Sequence, residues 1–134
     1  MNTSYEQLIA PRLLDSQLKL HLVLQFLIHP QLTTTASTLS ERLRENPWAV
    51  SEALSELAEQ RLITSTTQQG RPIFRRGQDA LHHARLAQLL DAFDDPQKRD
   101  QIHALVRVAH DERQYCAYLT GDERAVGQPM SLIA

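Results

Sequence analysis

The sequence predicts a mainly α-helical fold carrying one small β-hairpin, with a single core and helices appended at its C-terminal side. Three observations predict it. Apolar residues recur at helical spacing in five segments of the 134 residues, and a proline or a small polar residue heads most of those segments. One stretch, residues 62–76, is instead rich in β-branched residues ahead of a glycine-containing turn.

Residues 1–15 form an arm or a short leading helix, with Tyr5, Leu8, Ile9, Leu13 and Leu14 available for docking and Pro11 interrupting them. From Ser16 to Ile28, Leu20, Val23, Leu24 and Leu27 keep helical spacing while Leu18, Leu22, Phe26 and Ile28 widen the face, so this helix is buried on most sides. His29-Pro30 ends it, because proline lacks the amide donor and restricts the residue before it. Leu32-Thr33-Thr34 is a short β-prone run. Thr34 or Thr35 then caps a second helix over about Ala36 to Arg44, with Leu39 and Leu43 on its apolar stripe.

Asn46-Pro47 opens a third helix, which runs to about Gln60. Val50, Ala53, Leu54 and Leu57 point inward, and Trp48, Ser51, Glu52, Ser55 and Glu59 point outward. The run Leu62 to Thr67, the turn Gln68-Gln69-Gly70-Arg71 and the returning Pro72 to Arg76 make the hairpin, which Gly77 closes. Asp79 caps a fourth helix through about Phe93, with Leu81, Ala84, Leu86, Leu89, Leu90 and Phe93 apolar. A fifth runs from Pro96 to about Leu119, with Ile102, Leu105, Val106, Ala109, Tyr115 and Leu119 apolar. Residues 121–134 read as an irregular tail.

Composition narrows the function classes. Hydrophobic residues at 42% and charged residues at 22% are those of a globular chain, not a disordered one. Cys116 is the single cysteine, which rules out an intramolecular disulfide and fits the reducing cytoplasm. No apolar run is long enough to span a membrane, and no membrane partner is expected. Neither a glycine-rich phosphate loop nor a nucleophile elbow is present, and no enzyme activity or cofactor is expected. His103 and His110 lie two turns apart, roughly 10 Å along a helix, too far to hold one metal ion unaided, so no metal site is expected either.

Net charge is −2, unevenly spread: residues 1–77 carry eight Lys/Arg against seven Asp/Glu, and residues 78–134 carry six against nine. Any surface facing nucleic acid therefore belongs to the first part.

The order helix, short strand, helix, tight turn, helix, hairpin over residues 16–77 is that of a winged helix-turn-helix domain. Its best-matching pieces are Thr34-Thr35-Ala36-Ser37-Thr38-Leu39-Ser40-Glu41-Arg42-Leu43, then Val50-Ser51-Glu52-Ala53-Leu54-Ser55-Glu56-Leu57, then Leu62-Ile63. These resemble bacterial regulators of the MarR and ArsR type. The resemblance implies a DNA-binding transcriptional regulator that recognises specific double-stranded sequences, with the second helix as scaffold, the third in the major groove and residues 68–75 as the wing. One departure stands out: Arg61 occupies a position, before Leu62-Ile63, where glycine is usual.

On that implication the DNA-facing residues are Thr35, Arg42 and Arg44 of the second helix, Trp48, Ser51, Glu52 and Ser55 of the third, and Arg71, Arg75 and Arg76 of the wing. Glu52, Glu56 and Glu59 oppose phosphate, and the wing arginines compensate in part. Trp48 is open to two readings, as an anchor for a partner or as core against the second helix. The alternative function is a winged-helix adaptor whose acidic third helix docks protein without binding DNA. A domain of this size has limited surface on which to bury both apolar stripes of residues 78–120, so part of one should stay exposed in a monomer and a homodimer through the C-terminal helices is expected; the alternative is that both helices fold back onto Leu20, Leu24 and Leu27.

Overall fold

A computed structural model describes residues 5–120, and the expected tail at 121–134 lies outside them, as does the side chain of Leu119. A single 3-10 turn, Tyr5–Leu8, precedes helix α1 (Gln17–Ile28), strand β1 (Thr33–Thr34) and helices α2 (Ala36–Leu43) and α3 (Pro47–Glu59). The hairpin β2 (Ile63–Gln68) and β3 (Arg71–Arg76) follows, then α4 (Ala80–Phe93) and α5 (Pro96–Thr120). Helices dominate, and the three strands form one small antiparallel sheet in the order β1-β3-β2.

Local chemistry sets the helix starts. All five helices open on the same device, a side-chain oxygen accepting from a first-turn amide that has no intrahelical partner. Ser16 accepts from the amide of Lys19, Thr35 from Thr38, Asn46 from Trp48 and Ala49, Asp79 from Leu81, and Asp95 from Gln97. Pro47 sits in the first turn of α3, where its missing N–H costs nothing.

Two helices close through a left-handed arginine. The second helix stops at Leu43 because Arg44 turns left-handed at φ 57°. Its amide donates to the Glu41 carbonyl at 3.3 Å and that of Glu45 to Ser40 at 3.0 Å, the paired bonds of a Schellman cap. Helix α3 ends the same way around Arg61 at φ 66°, whose amide donates to Ala58 at 3.0 Å while that of Leu62 donates to Leu57 at 2.9 Å. The reversal that glycine usually makes is made here by arginine, with buried Leu57 and Leu62 completing the cap.

The hairpin closes through Gln69 and Gly70, at φ 54° and 78°, a pair of positive values that matches the twist of the flanking strands. Gln68 faces Arg71 across it, and β1 adds to the other side of β3 with Thr33 facing Arg75 and Thr34 facing Phe74. Gly77 lies so close to β2 that a Cβ there would sit 2.6 Å from the Leu62 carbonyl oxygen.

One core joins every segment. Leu20, Leu22, Val23, Leu24, Phe26 and Leu27 are all buried, so α1 is enclosed on most sides, and Leu39, Val50, Leu54 and Leu57 close over it. Phe74 brings the sheet into the same cluster, Leu8 and Leu14 the N-terminal segment, and Leu86, Leu89, Ile102 and Val106 the last two helices. The apolar stripes of α4 and α5 are therefore largely satisfied within the chain. Leu81, Leu105 and Tyr115 of those stripes are nevertheless exposed, together with Val108. No helix among the described residues is long and apolar enough to cross a membrane.

Candidate nucleic-acid interface

Helix α3 divides its residues as its periodicity requires. Val50, Ala53, Leu54 and Leu57 are buried, and Trp48, Ala49, Ser51, Glu52, Ser55 and Glu59 are exposed. Trp48 is 84% exposed, which overturns core packing against α2 as its role. A bare indole is costly to leave in water, and it stands directly after the proline that starts the helix.

The flanking cations come from three places. Arg42 and Arg44 are exposed at the end of α2, Arg42 within 3.4 Å of the Gln25 side-chain oxygen, and Arg61 is exposed at the end of α3. In the hairpin, strand alternation separates the arginines. Arg71 and Arg75 share one face with Ile73, opposite Gln68, Thr64 and Thr66, and both are exposed. Arg76 falls on the face of Phe74 and is half-buried, so it does not join the other two as a single patch. Thr35 is spent on its helix: its hydroxyl oxygen accepts from the Thr38 amide at 3.2 Å.

Glu56 is not where its charge alone would suggest. It turns away from the exposed face and enters a ring of four charges with Asp15, Lys19 and Arg113. Lys19 Nζ lies 2.9 Å from Asp15 Oδ1 and also donates to Glu56 Oε1. Arg113 Nη1 reaches Asp15 Oδ2 at 2.9 Å, and its two terminal nitrogens fork onto the two oxygens of Glu56 at 2.8 Å each. The signs alternate around the ring and the sum is zero. Asp15 and Lys19 are only 2% and 3% exposed, which is tolerable because each has opposite charges on two sides.

The Arg113 fork is the chief cause that holds the Glu56 carboxyl down to about 2, with Lys19 adding to it against the opposing effect of burial. The same hydrogen bonds push the Arg113 guanidinium further up. The acids that remain on the exposed side of α3 are therefore Glu52 and Glu59, and the expected opposition of Glu56 to phosphate is corrected. Lys19 was visible in the sequence as a charge inside the apolar run 18–28, but nothing local names its partners.

His103 and His110 find protein partners. His103 Nδ1 lies 2.6 Å from Gln17 Oε1, and the His103 ring stands edge-on to both His21 and Phe93. His110 Nδ1 lies 3.3 Å from the Asp15 carbonyl oxygen. Burial, then the neighbouring His103, lowers the pKa of His21. Among the described residues no group of three His, Cys, Asp or Glu converges.

No family model, no curated protein and no solved structure matches this chain.

Proposed function

We propose that the chain is a winged-helix regulator of transcription that binds specific sites in double-stranded DNA, with α3 in the major groove and β2–β3 as the wing. One observation carries the reading. Six arginines lie at the end of α2, just after α3 and on β3, namely Arg42, Arg44, Arg61, Arg71, Arg75 and Arg76, and none has a carboxylate partner among the described residues. Cations left unpaired in the fold are free to displace counterions from phosphate, the main source of backbone affinity. Ser51 and Ser55 lie on the exposed side of α3 with Trp48, where hydrogen bonds and apolar contacts to base edges would set the sequence preference.

Fluorescence anisotropy on genomic DNA fragments, repeated over a salt series, tests this. Arg71→Ala with Arg75→Ala should weaken binding on all sequences and reduce the salt slope by about 2, one for each phosphate that is no longer neutralised. An unchanged slope removes the hairpin from the interface.

A second reading, docking of α3 onto a protein, is favoured by the 84% exposure of Trp48 beside Glu52. It predicts no binding on any DNA fragment at low salt. Pairing of two copies through α5 belongs to the DNA reading, now over a narrower face of Leu105, Val108 and Tyr115, which are exposed at helical spacing. A monomer mass by sedimentation equilibrium at micromolar protein would remove the pairing, and with it a palindromic site.

A further inference from the structure

Among the described side chains, apolar packing of α5 ends at Ala109, and between residues 110 and 116 Arg113 alone is not exposed. What joins this part of α5 to the body is thus polar: the Arg113 side chain, and His110 against the Asp15 carbonyl. From that geometry we infer that Arg113 is a positioning residue for α3, so that the C-terminal half of α5 controls how firmly the exposed face of α3 is held.

The four charges are not equally anchored. Asp15 is locked in place, its carboxylate accepting from the Arg12 amide at 2.7 Å, and Lys19 stands one helical turn further on, within α1. Glu56 comes from a different element, and its side chain is 26% exposed, so it has a route to water that the other two lack. Without the guanidinium, Lys19 faces two carboxylates and the ring carries an uncompensated negative charge where solvent hardly reaches. The member free to yield is Glu56, and when its side chain swings out to water α3 loses its charged tie to α1 and α5. Helix α3 therefore loosens when Arg113 leaves, while α2 and α4, which hold no member of the ring, do not. In terms of DNA binding, which rests on the reading proposed above, displacing the end of α5 lowers affinity without altering any group that faces DNA. Lysine cannot replace arginine fully here, because it is a point charge and Glu56 is held by a two-pronged fork.

Hydrogen exchange on the full chain, run beside DNA anisotropy, tests the inference in wild type, Arg113→Ala, Arg113→Lys and the double variant Glu56→Gln/Arg113→Gln. Arg113→Ala should speed exchange of the α3 amides roughly tenfold more than those of α2 and α4, and weaken DNA binding on a similar scale. Arg113→Lys should fall between it and wild type. The double variant, which leaves the Lys19–Asp15 pair balanced, should recover at least part of both losses. Exchange that is unchanged, or that rises equally in α2, α3 and α4, overturns the positioning role, since a merely stabilising residue would act on all three. Should wild type bind no DNA, the exchange pattern alone decides for or against positioning and only the DNA reading falls. Should Arg113→Ala fail to fold, the lysine and double variants carry the same comparison.

Discussion

Arginine stands at the two left-handed positions where α2 and α3 end, and glycine at either should make the protein more stable. Arg44 and Arg61 have φ of 57° and 66°. In that region the Cβ of an L-residue crowds the following carbonyl, at a cost of about 1–2 kcal/mol. Glycine avoids the strain but returns about 0.5–1 kcal/mol through its freer unfolded chain. The net gain is therefore ~0.5–1 kcal/mol at each site. Nothing charged is lost inside the fold, because neither guanidinium has a carboxylate partner among the described residues, and the cap bonds are made by backbone atoms that glycine keeps.

For a chain of 134 residues the unfolding entropy is ~0.28 kcal/mol/K, so each substitution should raise Tm by about 2–4 °C. The two caps close different helices, and Arg44→Gly with Arg61→Gly should give close to the sum. Differential scanning calorimetry measures this directly. A fall in Tm for either variant would refute the reasoning, since it would mean that the side chain contributes more than the left-handed backbone costs. Under the DNA reading the same variants bind more weakly, because each removes a cation. Stability and affinity would then move in opposite directions.

Leu54 is wholly buried at the centre of α3, and Leu54→Ala should destabilise by about 2–5 kcal/mol in chemical denaturation; a loss below roughly 1 kcal/mol would place it outside the core. Gly77→Ala should cost about 1–3 kcal/mol, because the new Cβ meets the Leu62 backbone at 2.6 Å, whereas the open site at Gly70 opposes alanine only through its φ of 78°. The Glu56 carboxyl is held at about 2 against an ordinary 4.5, so its contribution to stability is complete above pH 4.5 and is lost as pH falls toward 2. Glu56→Gln should accordingly flatten the acid limb of the stability curve, measured by urea unfolding between pH 5 and about 2.5; an acid limb as steep as in wild type would show that Glu56 is not held low in the fold.

Most element boundaries were legible in the sequence because their causes are local. Asn46-Pro47, Thr35 and Asp79 start helices through bonds that span two or three residues, and the Gln69-Gly70 turn closes strands that are adjacent in the chain. The inward phase of α3 was legible too, since Val50, Leu54 and Leu57 repeat at the helical period. What periodicity could not decide was where each charge and each large residue ends up once the helices pack. Glu56 reads as an acid on an amphipathic helix; only the fold brings to it Lys19, 37 residues before, and Arg113, 57 residues after. Trp48 was ambiguous for the same reason, because whether a neighbour covers the first turn of α3 depends on the angle of α2, which no local signal encodes. Arg61 shows the converse: its side chain argues against a left-handed turn, yet the burial of Leu57 and Leu62 and two backbone bonds outweigh about 1–2 kcal/mol of strain. Local bonding and periodicity thus determined the elements, and long-range burial and charge pairing decided which of their residues remain exposed, because desolvation is a property of the packed whole.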